Sequence, residues 1–416
     1  FHYLFLGIFL FKNREKDKLK CILKKSASFL FNFVETSEMI KKILKGFVIA
    51  IAAIIAISYV FGYDYLFNGI RQTYLRGENG STIDDGKYFN DHVIAKGNSI
   101  PWEKDSLYNK KPLSKALSED LKNSKTASFL IIKNGKLVHE EYWDGYNQTS
   151  KTNSFSMAKA VTVLLLGKAI EEKKINSLNQ KYSDFFGNYA NVEFGRHLTI
   201  GELAKMESGL NWNEDYKNPF LQNAKAYYGK SLEKAVFLRG FKNEPGTKFE
   251  YQSGSTQLLG FALRKSLNKT IADYASEKLW KPLGMEQNAN WNTDDFGMEK
   301  TFCCINSNSR DFAKFGQLFL NNGQFNGNQI INSEFLNEMK TPTQLSKNAY
   351  GMGLWINNDT PLKHYYFWGL YGQYIIVIPE KQTVIVRTGM YKDQPKDQKG
   401  RPEQVAFLVN EVAKDY

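Results

Sequence analysis

Cysteine is scarce in this 416-residue chain: there are three, Cys21, Cys303 and Cys304. Three thiols, two of them adjacent, make no disulfide framework and offer no zinc-ligand spacing. Adjacent cysteines rarely bridge each other, because the backbone between them must distort; Cys303 and Cys304 are therefore expected to be structural residues. Histidine is nearly as rare. The four beyond residue 38 are His92, His139, His197 and His364. None has the neighbourhood of a catalytic base, which argues against a Ser-His-Asp hydrolase. Internal repeats and low-complexity tracts are missing too. So is any basic helix or aromatic-basic interleaving, so the net charge of +12 does not mark a nucleic-acid reader.

Half of that charge lies in front of one apolar stretch. Residues 1–45 hold ten Lys/Arg and four Asp/Glu. From Gly46 to Tyr63 the chain then runs GFVIAIAAIIAISYVFGY without a charge, preceded by Lys41, Lys42 and Lys45 and ended by Asp64. Eighteen residues approach the length that crosses a bilayer core. Lysines before them predict a cytoplasmic N-terminus and an extracytoplasmic (periplasmic) body. No small-x-small cleavage site follows, so an uncleaved anchor is expected. The first methionine is Met39, and residues 1–38 read as a non-native leader. The expected organisation is a leader (1–38), a membrane anchor (39–63), a stalk or wrapped arm (64–112) and one catalytic domain (113–416).

Within that domain, Ala127–Lys133 and Lys136–Trp143 are strand-like runs around Asn134-Gly135, a strong hairpin signal. From Ser156 to about Val377 the pattern is mainly helical. Strands return at Tyr374–Pro379 and Thr383–Gly389, and Glu403–Lys414 closes the chain as a helix. The fold class is α+β: an antiparallel sheet flanked by terminal helices, with an inserted α-helical region and a cleft between the two parts.

Three Ser-x-x-Lys spacings occur: Ser156/Lys159, Ser231/Lys234 and Ser266/Lys269. Ser231 opens a helix and reads as its N-cap, and Ser266/Lys269 lies in a polar helix end. Ser156/Lys159 stands at the head of a helix apolar nearly all round, which must be buried. A lysine there is costly unless paired, and burial lowers its pKa towards a neutral, proton-accepting amine. Serine and lysine three apart share one helix face. The helix N-terminus favours negative charge developing on the serine. These are the conditions for a serine nucleophile that uses no histidine.

The Ser154-Phe155-Ser156-Met157-Ala158-Lys159 segment closely resembles the motif of serine hydrolases related to class C β-lactamases and penicillin-binding proteins, including the 6-aminohexanoate-dimer hydrolase branch. Further matching segments run in order from Met206–Trp212 through Tyr227-Tyr228-Gly229, Phe249–Ser253, Leu279–Met285 and Phe302-Cys303-Cys304 to Gly372–Ile375. The resemblance implies that Tyr251 shares the proton of Ser156 with Lys159 and delivers it to the leaving group, a phenol beside a cationic lysine having its pKa lowered. It implies that Ser253 binds the lysine or substrate, and that the Ser156 and Gln373 N–H groups form an oxyanion hole beside Gly372. Tyr227 and Tyr228 are candidate substrate-pocket residues. The family's third element has Lys or His, any residue, then Gly. Here Leu370-Tyr371-Gly372 lacks the cation, which favours an amidase or esterase over a β-lactamase. The implied activity is acyl transfer through an acyl-enzyme on a small amide, ester or peptide, with neither metal nor organic cofactor. The rivals are a DD-peptidase or β-lactamase, and a non-catalytic penicillin-recognising module sensing cell-wall fragments.

Overall fold

The computed structural model describes the backbone of residues 2–416 and, from Glu38 on, every side chain; of the expected leader, Phe1 and most side chains lie outside the described residues. The chain divides into two compact units between Asp64 and Tyr65. The first is one helix, His2–Val60. Its segment Glu38–Val60, 23 residues, is long and apolar enough to cross a membrane by length and composition, and its side chains are exposed.

The second unit is built on a six-stranded, wholly antiparallel sheet. Its order is Lys136–Tyr142, Thr126–Lys133, Thr383–Gly389, Gln373–Ile378, His364–Gly369, Trp355–Asn357. Strand alternation divides the core in two. Phe129, Ile131, Ile376, Ile378 and Ile385 face the terminal helices Lys115–Asn123 and Glu403–Asp415, packing on Leu117, Leu121, Val405 and Leu408. Leu130, Ile132, Val377, Val384 and Val386 face the inserted helical region through Phe312 and Phe315 of helix Ser309–Leu320. The α+β architecture expected from the sequence is thus present, and Asn134 and Gly135 take the positive φ angles that a tight hairpin requires.

A second, four-stranded sheet is made of very short strands: Asp91–Ile94, Ala289–Asn292, Ile305–Ser307 and Thr152–Asn153. The polar segment 65–112 supplies its first strand, which pairs with Ala289–Asn292. The same segment contributes helix Tyr65–Gln72 against helix Gln222–Tyr228, where Tyr65 donates to the Pro219 carbonyl and Asn68 to that of Tyr228. Cys303 and Cys304, expected as unbridged residues, are joined by a disulfide. Cys304 takes φ +74°, the backbone distortion that bridging adjacent residues needs.

Candidate active site

The second sheet positions the nucleophile. Thr152-Asn153 pairs with Asn306-Ser307, the Ser154 N–H donates to the Ile305 carbonyl, and the Ile305 N–H returns to Ser154 Oγ. Asn153 Oδ1 then accepts the Phe155 N–H. Phe155 sits at φ +43°, a left-handed conformation that costs a bulky residue about 1–2 kcal/mol. The turn is held by its hydrogen bonds and by Phe155 packing on Tyr371, with ring centroids 5.6 Å apart. It delivers Ser156 to the N-cap of helix Met157–Glu171, which is buried without a break from Met157 to Gly167.

One turn into that helix, Lys159 is 1% exposed. Its Nζ donates to Ser156 Oγ (2.8 Å), the Phe302 carbonyl (3.1 Å) and Ser253 Oγ (3.2 Å). Burial pulls its pKa down to about 8, opposed by the negative charge of Glu214. The Tyr251 hydroxyl lies beside Ser156, and Lys159 Nζ lies 4.8 Å from the Tyr251 ring centroid. The expected lowering of the Tyr251 pKa is overturned. Burial of the hydroxyl raises it well above the ordinary phenol value, outweighing the lowering by Ser156, and Glu214 raises it further. A neighbouring ammonium does not compensate a phenolate for the water it would lose.

The other sequence candidates separate. Ser253 heads helix Ser253–Leu267, with its Oγ 3.2 Å from Lys159 Nζ. The Tyr227 hydroxyl accepts from Asn153 Nδ2 at 3.3 Å, which sets it beside the nucleophile's turn. Tyr228 instead packs on Phe89 and Gly69. Gly372 has φ +78°, and a Cβ there would lie 2.4 Å from Arg387 Nη1 and 2.6 Å from Gln394 Nε2, so it abuts the buried arginine. Gly369 is the glycine that meets the nucleophile's turn: a Cβ there would lie 2.2 Å from the Ser154 carbonyl oxygen. Gln373 is fully buried and in register with Gly369, its side-chain amide donating to the Leu370 and Gly389 carbonyls. The other Ser-x-x-Lys pairs play no part. Ser231 Oγ caps its helix by accepting the Lys234 N–H, and Lys269 pairs with Glu277.

Two groups had no signal in the sequence. Glu214 reaches the site from the loop after Trp212, accepting from Ser253 Oγ at 2.5 Å. Arg387 is fully buried and grips the turn before strand Gln373–Ile378, donating to the Tyr371 (3.2 Å) and Gly372 (2.6 Å) carbonyls.

A family model described as Beta-lactamase matches residues 113–409. The chain belongs to the Beta-lactamase family. Its Beta-lactamase domain is similar to the 6-aminohexanoate-dimer hydrolase of Paenarthrobacter ureafaciens, 19% identical over 299 residues, covering 67% of this chain and 76% of that protein. Among solved structures, a Bacillus anthracis protein described as a 6-aminohexanoate-dimer hydrolase superposes with a TM-score of 0.68. It is 25% identical, and the match covers 82% of this chain and 93% of that one. A family VIII carboxylesterase has the same fold, with a TM-score of 0.59 at 15% identity over 78% of this chain and 99% of its own. Family and neighbours are hydrolases, and the fold class is that of the β-lactamase and transpeptidase-like proteins.

Proposed function

We propose that this Beta-lactamase-family protein is a membrane-anchored serine hydrolase that cleaves a small amide or ester through an acyl-enzyme on Ser156. The observation that carries the reading is the meeting at the Ser156 hydroxyl of a buried lysine amine 2.8 Å away and a tyrosine hydroxyl. In the reading, Ser156 Oγ attacks the substrate carbonyl carbon and its proton passes to the neutral Lys159. Tyr251, kept protonated by burial, gives its proton to the leaving nitrogen or oxygen as that bond to the acyl carbon breaks, and is reprotonated from Lys159. Water repeats the sequence to release the acid.

The oxyanion needs two N–H donors. Among the described residues, neither the Ser156 N–H nor that of Leu370 has a backbone acceptor. With Gly369 pressed on the Ser154 carbonyl and Gln373 buried behind it, the Leu370 N–H is the better second donor than the Gln373 N–H expected from the sequence. With Gly369 as the third element's glycine, the position two residues before it, where the family carries a cation, is the buried apolar Phe367. That favours uncharged substrates over β-lactam carboxylates. The hydrolase names of the Paenarthrobacter and Bacillus relatives agree with linear amides. The apolar segment Glu38–Val60 is the basis for the anchor and for an extracytoplasmic body.

The test is intact-mass analysis of the full-length chain in detergent after exposure to a fluorophosphonate and, separately, to a penicillin. The expected result is one fluorophosphonate adduct, absent in Ser156→Ala, and no stable penicillin adduct. An adduct from both reagents would redirect the substrate towards cell-wall peptides. No adduct from either, on folded protein, would overturn the hydrolase reading in favour of a penicillin-recognising module without catalysis.

A further inference from the structure

The Ser253 hydroxyl has one proton and stands between two partners. It donates to Glu214 Oε1, 2.5 Å away. Towards Lys159 Nζ, at 3.2 Å, only its lone pairs remain, so there it accepts. Glu214 is held by three further donors. Oε2 takes the Ser253 N–H (2.7 Å) and the Trp212 Nε1–H (2.8 Å), and Oε1 takes the Tyr216 hydroxyl (2.5 Å) beside that of Ser253. The Ser253 N–H opens a 15-residue helix, where the dipole favours a negative group.

A neutral lysine amine has two N–H bonds and one lone pair. Of the three groups around Lys159 Nζ, the Phe302 carbonyl can only accept, and Ser253 Oγ is made to accept by Glu214. These two take the two N–H bonds. The lone pair is then left facing Ser156 Oγ, the group whose proton it must remove. Without Glu214, the Ser253 hydroxyl could turn its own proton onto that lone pair and compete with Ser156.

We propose that Glu214 is a positioning residue for proton transfer, acting through the Ser253 hydroxyl to aim the Lys159 lone pair at Ser156. The proposal rests on the serine-hydrolase reading above and adds a residue to it. Glu214 acts on Lys159 a second way, because its charge favours the ammonium against the larger effect of burial. Among the described residues, the ionisable groups around Lys159 are Glu214, Tyr251 from the segment before helix Ser253–Leu267, and Tyr216 behind Glu214. The Phe302 segment contributes a backbone carbonyl and the Cys303–Cys304 disulfide.

The experiment is the rate of fluorophosphonate labelling of the full-length chain in detergent as a function of pH. In the wild type the rate should climb to a plateau with a midpoint near pH 8, where Lys159 becomes neutral. In Glu214→Gln the plateau should fall about 10- to 100-fold through misorientation, while the midpoint moves to lower pH because a negative charge is gone. Loosening of the structure alone gives the first change without the second. Ser253→Ala is the second variant, since it leaves the Trp212 and backbone bonds to Glu214 in place; it should lose a similar factor, and adding Glu214→Gln to it should cost little more. A Glu214→Gln profile identical to wild type, or an undiminished Glu214 effect in the Ser253→Ala background, overturns the proposal and leaves the nucleophile intact. Failure of the wild type to label at any pH overturns the reading beneath it.

Discussion

Ser156→Ala is expected to lower kcat on a scissile ester by on the order of 10^4-fold or more, with the fold and the substrate affinity nearly unchanged. The loss is large because Ser156 is the attacking group in this reading, and the neighbouring Ser253 hydroxyl is committed to Glu214. Among the described residues, the histidines lie elsewhere: His92 pairs with Glu299, His139 with Glu141, His197 with Glu244, and His364 is buried with its Nδ1 on the Leu362 carbonyl. The residue that remains can still bind substrate and present the Ser156-position N–H, so activity a little above background should survive. The stability cost is small. The Ser156 side chain makes no cap bond to its helix, so its removal forfeits only the contacts with Lys159 and Tyr251. Steady-state kinetics together with thermal unfolding of the same preparation check this. A variant retaining a tenth of wild-type activity would rule out Ser156 as the attacking group.

Lys159→Met should be as damaging to catalysis, by at least about 10^3-fold, yet should stabilise the protein. Methionine fills nearly the same volume without a charge to desolvate. The sign of the pH effect follows from the lysine's depressed pKa. Between about pH 8 and the ordinary value of 10.5 the unfolded chain holds the Lys159 proton and the folded chain does not. Wild-type stability therefore rises with pH across that window. Below it the full penalty is present, about 3 kcal/mol for a difference of this size. Lys300, buried and lowered to about 7 by desolvation, adds a penalty of the same kind, so the informative quantity is the difference between wild type and variant. That difference should be largest at neutral pH and shrink towards pH 10.5, as read by urea unfolding at several pH values. A variant less stable than wild type at neutral pH would show that the three hydrogen bonds of Lys159 outweigh its desolvation.

What the sequence disclosed followed from local chemistry. The hairpin around Asn134-Gly135, the closing helix that begins at Glu403 and the buried helix behind Ser156 are each specified by residues adjacent in the chain. The four-stranded sheet was hidden because its strands are two to four residues long and pair across up to two hundred positions, too short for alternation to register. Strand His364–Gly369 was masked by its run of aromatic residues, which are buried on both faces and show no period. At the site, Ser156 and Lys159 were readable because one helix turn fixes their spacing. Glu214 was not, since its role exists only once Ser253, 39 residues later, arrives beside it. The error over Tyr251 has the same origin: neighbours along a motif suggest the sign of a charge effect, whereas burial is a property of the assembled cleft.

The pairing of Asp91–Ile94 with Ala289–Asn292 also bears on where the folding unit begins. The family match starts at residue 113, but strand Ala289–Asn292 has its partners on one side in Ile305–Ser307 and on the other in Asp91–Ile94. A chain begun at Leu113 would bare that outer edge as a row of unpaired N–H and C=O groups, and would uncover the core around Ile94, which is fully buried in the longer chain. A naked edge over apolar surface is a template for other chains to add strands. A chain trimmed to Leu113 is therefore expected to associate through that edge, which size-exclusion chromatography beside the full chain would show.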